Sequence, residues 1–142
     1  MVAELSPEVR AFIISSRIGR LATADHNGSP HVIPVCYVYD SGNIYTPLDS
    51  KTKRVALLQL KRVRNIAVNP RVALVIDRYS EDWSQLAYVL VQGVADLLEP
   101  GRELDAVETA LREKYPQYSE IQKQRFSMLR IEIEKVARWG RL

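Results

Sequence analysis

Residues 27–46 read NGSPHVIPVCYVYDSGNIYT, and this stretch decides the fold. Asn27-Gly28 and Ser41-Gly42-Asn43 are turn signals. Between them runs a segment dense in β-branched and aromatic residues: Val32, Ile33, Val35, Tyr37, Val38 and Tyr39. Asn-Gly favours a two-residue type I′ hairpin, because both central residues of that turn need positive φ. An antiparallel meander is therefore expected, with strands over Ile18–Asp25, His31–Tyr39 and Ile44–Thr46. Pro34 has no ladder donor, so it belongs at an edge or a bulge. An interrupted edge leaves backbone groups free to meet a ligand.

Upstream, Ser6-Pro7-Glu8 reads as an N-cap with proline at the first helical position. With Val9, Phe12 and Ile13 at helical spacing, it predicts a short helix over 6–16. Downstream, Pro47 stops the third strand, and the chain turns through Asp49 and Ser50 into an apolar helix from Lys53 to about Val68, ended by Asn69-Pro70. Arg71–Arg78 reads as a strand with both faces apolar at its centre, and Tyr79–Asp82 as a loop. Leu86–Leu98 is a long strand with a bulge at Gly93. Leu104, Val107 and Leu111 mark a helix over Pro100–Tyr115, closed by Pro116. In Ser127–Trp139, Leu129, Ile131 and Ile133 alternate with Arg130, Glu132 and Glu134, the pattern of a last strand. Six antiparallel strands with two or three short helices describe an α+β protein built round a small barrel, with residues 1–142 as one domain.

Hydrophobic content of 46% and charged content of 26% are ordinary for a globular chain. Cys36 is the single cysteine and sits in an apolar run, so a reducing, cytoplasmic location is expected. MVAELSPEVRAF lacks the pattern of a signal peptide, and no stretch approaches the roughly 18 apolar residues of a membrane span. Neither a membrane nor a nucleic acid is an expected partner. From Ser50 to Ile76 there are seven basic residues and no acidic one, but also no aromatic residue. Single-strand binders interleave cations with stacking rings, so this block suits a small phosphorylated ligand better than a polynucleotide.

The sharpest feature of that block is its start. Lys51, Lys53 and Arg54 stand beside the hydroxyls of Thr46, Ser50 and Thr52 at a strand-to-helix turn. Ammonium, guanidinium and free N–H donors together grip a dianion such as phosphate; the alternative is a solvated basic loop. No catalytic constellation accompanies it. His26, His31 and Cys36 make no metal site at ordinary spacing, and Gly-x-Ser-x-Gly, Walker and Gly-x-Gly-x-x-Gly patterns are missing. An enzyme built this way needs a bound cofactor to carry the chemistry. His31 and Tyr45 are the side chains to test for proton transfer.

The succession Asn27-Gly28, Pro30–Val35, Ile44-Tyr45-Thr46, Lys51-Thr52-Lys53-Arg54, Arg64-Asn65-Ile66 and Asn69–Leu74 resembles the pyridoxamine-5′-phosphate-oxidase-like FMN-binding split barrels. Asp82-Trp83, Gly93 and Lys114–Tyr118 are most similar to the branch of coenzyme F420-dependent oxidoreductases. The resemblance spans nearly the whole chain. It implies a six-stranded split β-barrel and a homodimer with two cofactor sites at the interface. By resemblance, Thr46, Ser50, Lys51 and Lys53 hold the phosphate of FMN or F420, Ile33, Pro34 and Val35 lie along the ring, and Tyr45 packs beside them. Arg54 and Arg64 are ligand contacts or structural ion pairs, and Trp83 and Trp139 wall the pocket from the partner chain or are ordinary packing. True pyridoxamine-phosphate oxidases have a glutamine where Tyr88 aligns, and an Arg-x-His-type segment beyond the last strand, where this chain reads Gly140-Arg141-Leu142. Vitamin B6 oxidation is therefore not expected. The implied activity is hydride transfer between flavin or deazaflavin and a small substrate. The alternative is a carrier or sensor of FMN, F420 or haem without turnover.

Overall fold

The computed structural model describes residues 4–48, 57, 59–121 and 126–142. Helix α1 (Pro7–Ser15) starts as expected: the Ser6 Oγ accepts from the Val9 N–H at 3.2 Å, and Val9, Phe12 and Ile13 are buried. Seven strands follow: β1 (Gly19–Ala24), β2 (Pro30–Val35), β3 (Val38–Asp40), β4 (Asn43–Pro47), β5 (Arg71–Arg78), β6 (Ala87–Leu97) and β7 (Met128–Gly140). Interposed among the described residues are α2 (Lys61–Val68), α3 (Arg102–Lys114) and the single turn α4 (Tyr118–Ile121). All strand pairs are antiparallel, in the order β2-β1-β5-β6-β7-β4-β3.

The seventh strand corrects the reading of 31–39 as one strand. The segment breaks at Cys36-Tyr37, and its halves occupy opposite edges of the sheet. Flat, a seven-stranded sheet would hold its edges about 29 Å apart, whereas the three residue steps from Val35 to Val38 reach at most about 11 Å. The sheet must therefore curl until the two edges meet, and the split lies where they touch. Side chains satisfy the link's backbone there. The Thr46 hydroxyl donates to the Cys36 carbonyl at 2.8 Å. The Tyr115 hydroxyl accepts from the Tyr37 N–H at 3.2 Å, and its one proton serves the Arg17 or Tyr37 carbonyl. Tyr37, with no exposed surface, donates to the Ile13 carbonyl at 2.5 Å and ties the link to α1.

Both hairpin turns differ from expectation. At 25–29 the Gly28 N–H bonds to the Asp25 carbonyl, and only Gly28 has positive φ, giving a three-residue loop rather than type I′. The type I′ signature falls on Ser41-Gly42, with φ of 51° and 87°, between paired Asp40 and Asn43. The helix expected from Lys53 to Val68 is also interrupted: Leu60 is extended and α2 begins at Lys61; residues 53–56 and 58 lie outside the described residues. In one straight helix Leu57 would point about 180° away from Ile66, yet both are buried in one core. The break re-aims them.

The Gly93 bulge is present. The β6–β7 register steps from Gln92↔Lys135 to Gly93↔Ile133, leaving Glu134 as the extra residue. Two apolar clusters result. Leu21, Ile44, Leu74, Ile76, Val89 and Ile131 fill the barrel. Val38, Tyr45, Leu104, Val107, Leu111 and Met128 pack between α3 and the outer face of the sheet. Because β4 is covered on both faces, Ile44, Tyr45 and Thr46 are all buried. β5 is internal, as expected, but alternates: Val72, Leu74 and Ile76 are buried while Ala73 and Val75 are half-buried.

An ion network clamps α3 down. Arg130 donates to Asp96 at 3.1 and 2.8 Å and to Glu103 at 2.8 and 3.1 Å, and Glu103 accepts from the Tyr45 hydroxyl at 2.5 Å. The Tyr45 bond first, with Arg130 adding to it, holds the Glu103 carboxyl below its ordinary range. A depressed folded-state value means the stabilisation is complete above the unfolded value and is lost as pH falls through the folded one. Acidification below about 4.5 should therefore erode stability. Glu103→Gln should flatten that dependence, read as urea midpoints at pH 6 and pH 4. An equal slope in the variant would remove Glu103 from the account.

Candidate functional site

β2 pairs only with β1, so Pro34 stands on an edge strand, as its missing N–H requires. Ile33 and Val35 pack on the barrel core, whereas Pro34 is exposed and Val32 is 60% exposed. What β2 presents outward is therefore its unpaired edge and the Val32–Pro34 face. Sequence reading missed Val32, although strand alternation puts it on the face of Pro34. His31 shares the inward face with Ile33 and Val35 and lies opposite Thr23 in the register. Next to it, the buried Asn65 Nδ2 donates to the buried Thr23 Oγ1 at 2.9 Å, which seats α2 against β1. The His31 Nδ1 is occluded and has no partner among the described residues.

Thr46 and Tyr45 are turned elsewhere. Thr46 is 1% exposed and its proton goes to the Cys36 carbonyl. Tyr45 lies in the cluster under α3, apart from Ile33 and Val35, and its phenol is pushed up to about 12, by burial first and then by the bond to Glu103. At that value it stays protonated, as a fixed donor to Glu103. Ser50, Lys51, Lys53 and Arg54 lie outside the described residues. The chain on either side of them is described: Leu48 and Leu57 are buried, and Lys61 at the start of α2 reaches Asp25 of the β1–β2 loop at 3.8 Å. Helix α2, which follows the basic segment in the chain, is thus docked on β1, the neighbour of the strand that carries His31. Arg64 is exposed and pairs with no carboxylate among the described residues. Behind α2 an apolar cleft of about 380 Å³ is walled by Val63, Ile66, Pro70, Ala95, Leu97 and Leu129.

Trp83 is 71% exposed, on the 3-10 turn between β5 and β6. Tyr88 and Trp139 face each other across β6–β7 and stack at 6.0 Å between centroids, 38% and 52% exposed. β4 covers β7 only from Met128 to Glu132, so the half of β7 carrying Trp139 has a second open edge. This aromatic surface lies at the Ala87 end of the β6–β7 ladder, whereas Pro47 lies at the Leu97 end. Trp83, which precedes β6, and Pro47 therefore stand toward opposite ends of the ladder. No described helix is long and apolar enough to cross a membrane.

A family model described as pyridoxamine 5′-phosphate oxidase matches residues 5–140. The 5a,11a-dehydrotetracycline/5a,11a-dehydrooxytetracycline reductase of Streptomyces rimosus is 28% identical over 123 residues, 86% of this chain and 73% of that one. The structure of HutZ, the haem storage protein of Vibrio cholerae, superposes with a TM-score of 0.72 at 21% identity, covering 97% of this chain and 95% of its own. An FAD-binding protein of Mesorhizobium loti superposes at 0.66 and 22% identity, with 94% of each chain covered. At those identities both structures speak for the fold alone, and that fold is the expected α+β split barrel, with seven strands instead of six.

Proposed function

Because the chain belongs to the pyridoxamine 5′-phosphate oxidase family, we propose that it is an oxidoreductase that moves a hydride between FMN or the deazaflavin F420 and a small organic substrate. The family match over residues 5–140 carries this reading. The reductase similar over most of the chain supports turnover rather than storage. FMN or F420 supplies the hydride chemistry when bound. The chain's own part is to grip, orient and shield. Ser50, Lys51, Lys53 and Arg54 hold the phosphate; Thr46, whose proton is engaged, pins the barrel link instead. The open edge of β2 offers backbone donors and acceptors to the polar rim of the ring, with Val32 and Pro34 against its face. On that same strand the His31 Nδ1 is a buried polar atom with no partner among the described residues.

The open half of β7 and the exposed Trp83, Tyr88 and Trp139 are the surface for a second copy of the chain. A homodimer would share its cofactor sites across that surface, with those rings as walls. The free thiol of Cys36 suits a reducing cytoplasm.

Mass spectrometry of the co-purifying small molecule, followed by titration with FMN and F420, tests the reading. One of them should bind. Lys51→Ala with Lys53→Ala should weaken that binding by about 2 kcal/mol, roughly thirtyfold, the scale of charge-assisted bonds. Binding of neither coenzyme ends the proposal, and unchanged affinity in the double variant removes the phosphate grip. Light scattering should give a dimer; a monomer at micromolar concentration would remove the shared site. The second reading, a haem carrier, draws on His31, whose occluded Nδ1 has no partner among the described residues and would have to be uncovered to serve as an axial ligand. A Soret band lost in His31→Ala would select it.

A further inference from the structure

A second cavity, of about 330 Å³, lies between the end of α1, β3 and α3, away from β2 and α2. Ile14, Val38, Tyr39 and Ala110 give it apolar walls, and Glu113 and Lys114 bring the charged groups. Lys114 is the last residue of α3, where a cation is ordinarily a solvated complement to the helix carbonyls. Here its side chain folds inward instead. The Nζ lies 4.0 Å from the Tyr37 ring centroid and 5.3 Å from that of Tyr115.

No carboxylate among the described residues pairs with this ammonium. The helix-end task has gone to Arg17, whose Nη2 donates to the Lys114 carbonyl at 2.6 Å while its guanidinium lies 4.7 Å from the Tyr115 centroid. Lys114 is thus left with ring contacts and a like charge beside it, and it lines the cavity whose other walls are largely apolar. Its value is lowered to about 8, by burial first and then by Arg17, with the Cys36 thiol acting the other way. The two phenols it touches, Tyr37 and Tyr115, are held protonated by burial, so neither supplies a counter-charge.

We propose that Lys114 is a nucleophilic amine whose cavity admits small aldehydes with an apolar body, which it takes up as an imine. The neutral amine adds its lone pair to the carbonyl carbon, and the C=O π pair moves to oxygen. One amine proton passes to that oxygen to give the carbinolamine, with Glu113 the carboxyl in the same cavity able to relay it. The second amine proton and the hydroxyl then leave as water, and a C=N bond remains. No oxidant or reductant takes part. The site is independent of the coenzyme reading, and either can fail alone.

Benzaldehyde is the probe, with cyanoborohydride to trap the imine as a stable secondary amine on the full-length chain. Peptide mapping then compares Lys114 with the other five lysines, at 51, 53, 61, 123 and 135. Lys114 should label about tenfold faster than Lys61 or Lys135 at pH 7.5, because far more of it is neutral there. Its rate should level off above about pH 8. Lys114→Arg keeps the charge and ring contacts and should abolish the fast adduct with an unchanged circular dichroism spectrum. Ala110→Leu fills the cavity and should slow benzaldehyde but not formaldehyde at Lys114. Labelling no faster than at Lys61 overturns the reactive amine. Equal slowing of both aldehydes, or of neither, overturns the cavity's selectivity.

Discussion

Gly93→Val is expected to cost about 4 kcal/mol, the range where a backbone clash rather than a lost contact is responsible. A Cβ built on Gly93 overlaps the Glu132 carbonyl oxygen and stands 3.3 Å from the Ile133 Cα. Both obstacles are backbone of the neighbouring strand, so no side-chain rotation relieves them. β6 and β7 would have to separate at the bulge where the longest ladder of the sheet changes register. For a chain of this size the thermal midpoint should fall by about 12 °C, or the soluble yield should collapse. Gly93→Ala already carries the offending atom and should share most of the loss. Gly28→Ala is the control: with φ of 80° but no atom within 4 Å of the added Cβ, it should cost only about 1 kcal/mol of backbone strain. Comparable losses at the two glycines would mean that chain conformation, not the close approach to β7, is what Gly93 provides.

Tyr37→Ala should be nearly as damaging, by about 4 kcal/mol, since it empties the volume of a fully buried aromatic ring at the barrel link. Tyr37→Phe divides the effect. It keeps the ring and the Lys114 contact but leaves the Ile13 carbonyl without its donor, and should cost about 1–2 kcal/mol. Burial holds the Tyr37 phenol well above the usual tyrosine value, so the donor persists at alkaline pH. Urea midpoints of the two variants measure the split. If Phe is as costly as Ala, the hydroxyl rather than the packing secures α1 to the link.

Local signals translated well wherever neighbouring residues alone set the outcome. Ser6-Pro7 caps α1, Asn69-Pro70 ends α2, and Gly93 marks the bulge, because each depends on backbone groups a few residues away or on the space of a missing Cβ. The alternation of β7 held from Leu129 to Ile133 and then stopped, since the bulge at Glu134 shifts its phase and, beyond it, Val136 alone of that half packs on the core beside an open edge. The turns were misassigned between two similar signals: Asn27-Gly28 looked the stronger, yet the two-residue register fell on Ser41-Gly42. The candidate site was legible as chemistry but only partly as geometry. Pro34 on an edge strand was readable from its missing N–H. The inward turn of Ile33 and Val35 was not, and neither was the engagement of Thr46 with Cys36.

Tyr45 shows where local reading stops. An aromatic residue on a short strand before a basic turn is equally suited to either face. Only the docking of α3, through Glu103 and Arg130, chose the outer one. Chain order and residue type were thus enough for most strands, the caps and the bulge, because those follow from φ/ψ limits and groups carried within a few residues. Which strand became two, which edges stayed open and which hydroxyls were already engaged followed from closing the sheet on itself. Closure is a long-range constraint: the two-residue link at Cys36-Tyr37 must join both ends of a seven-stranded sheet, and no window of neighbouring residues contains it.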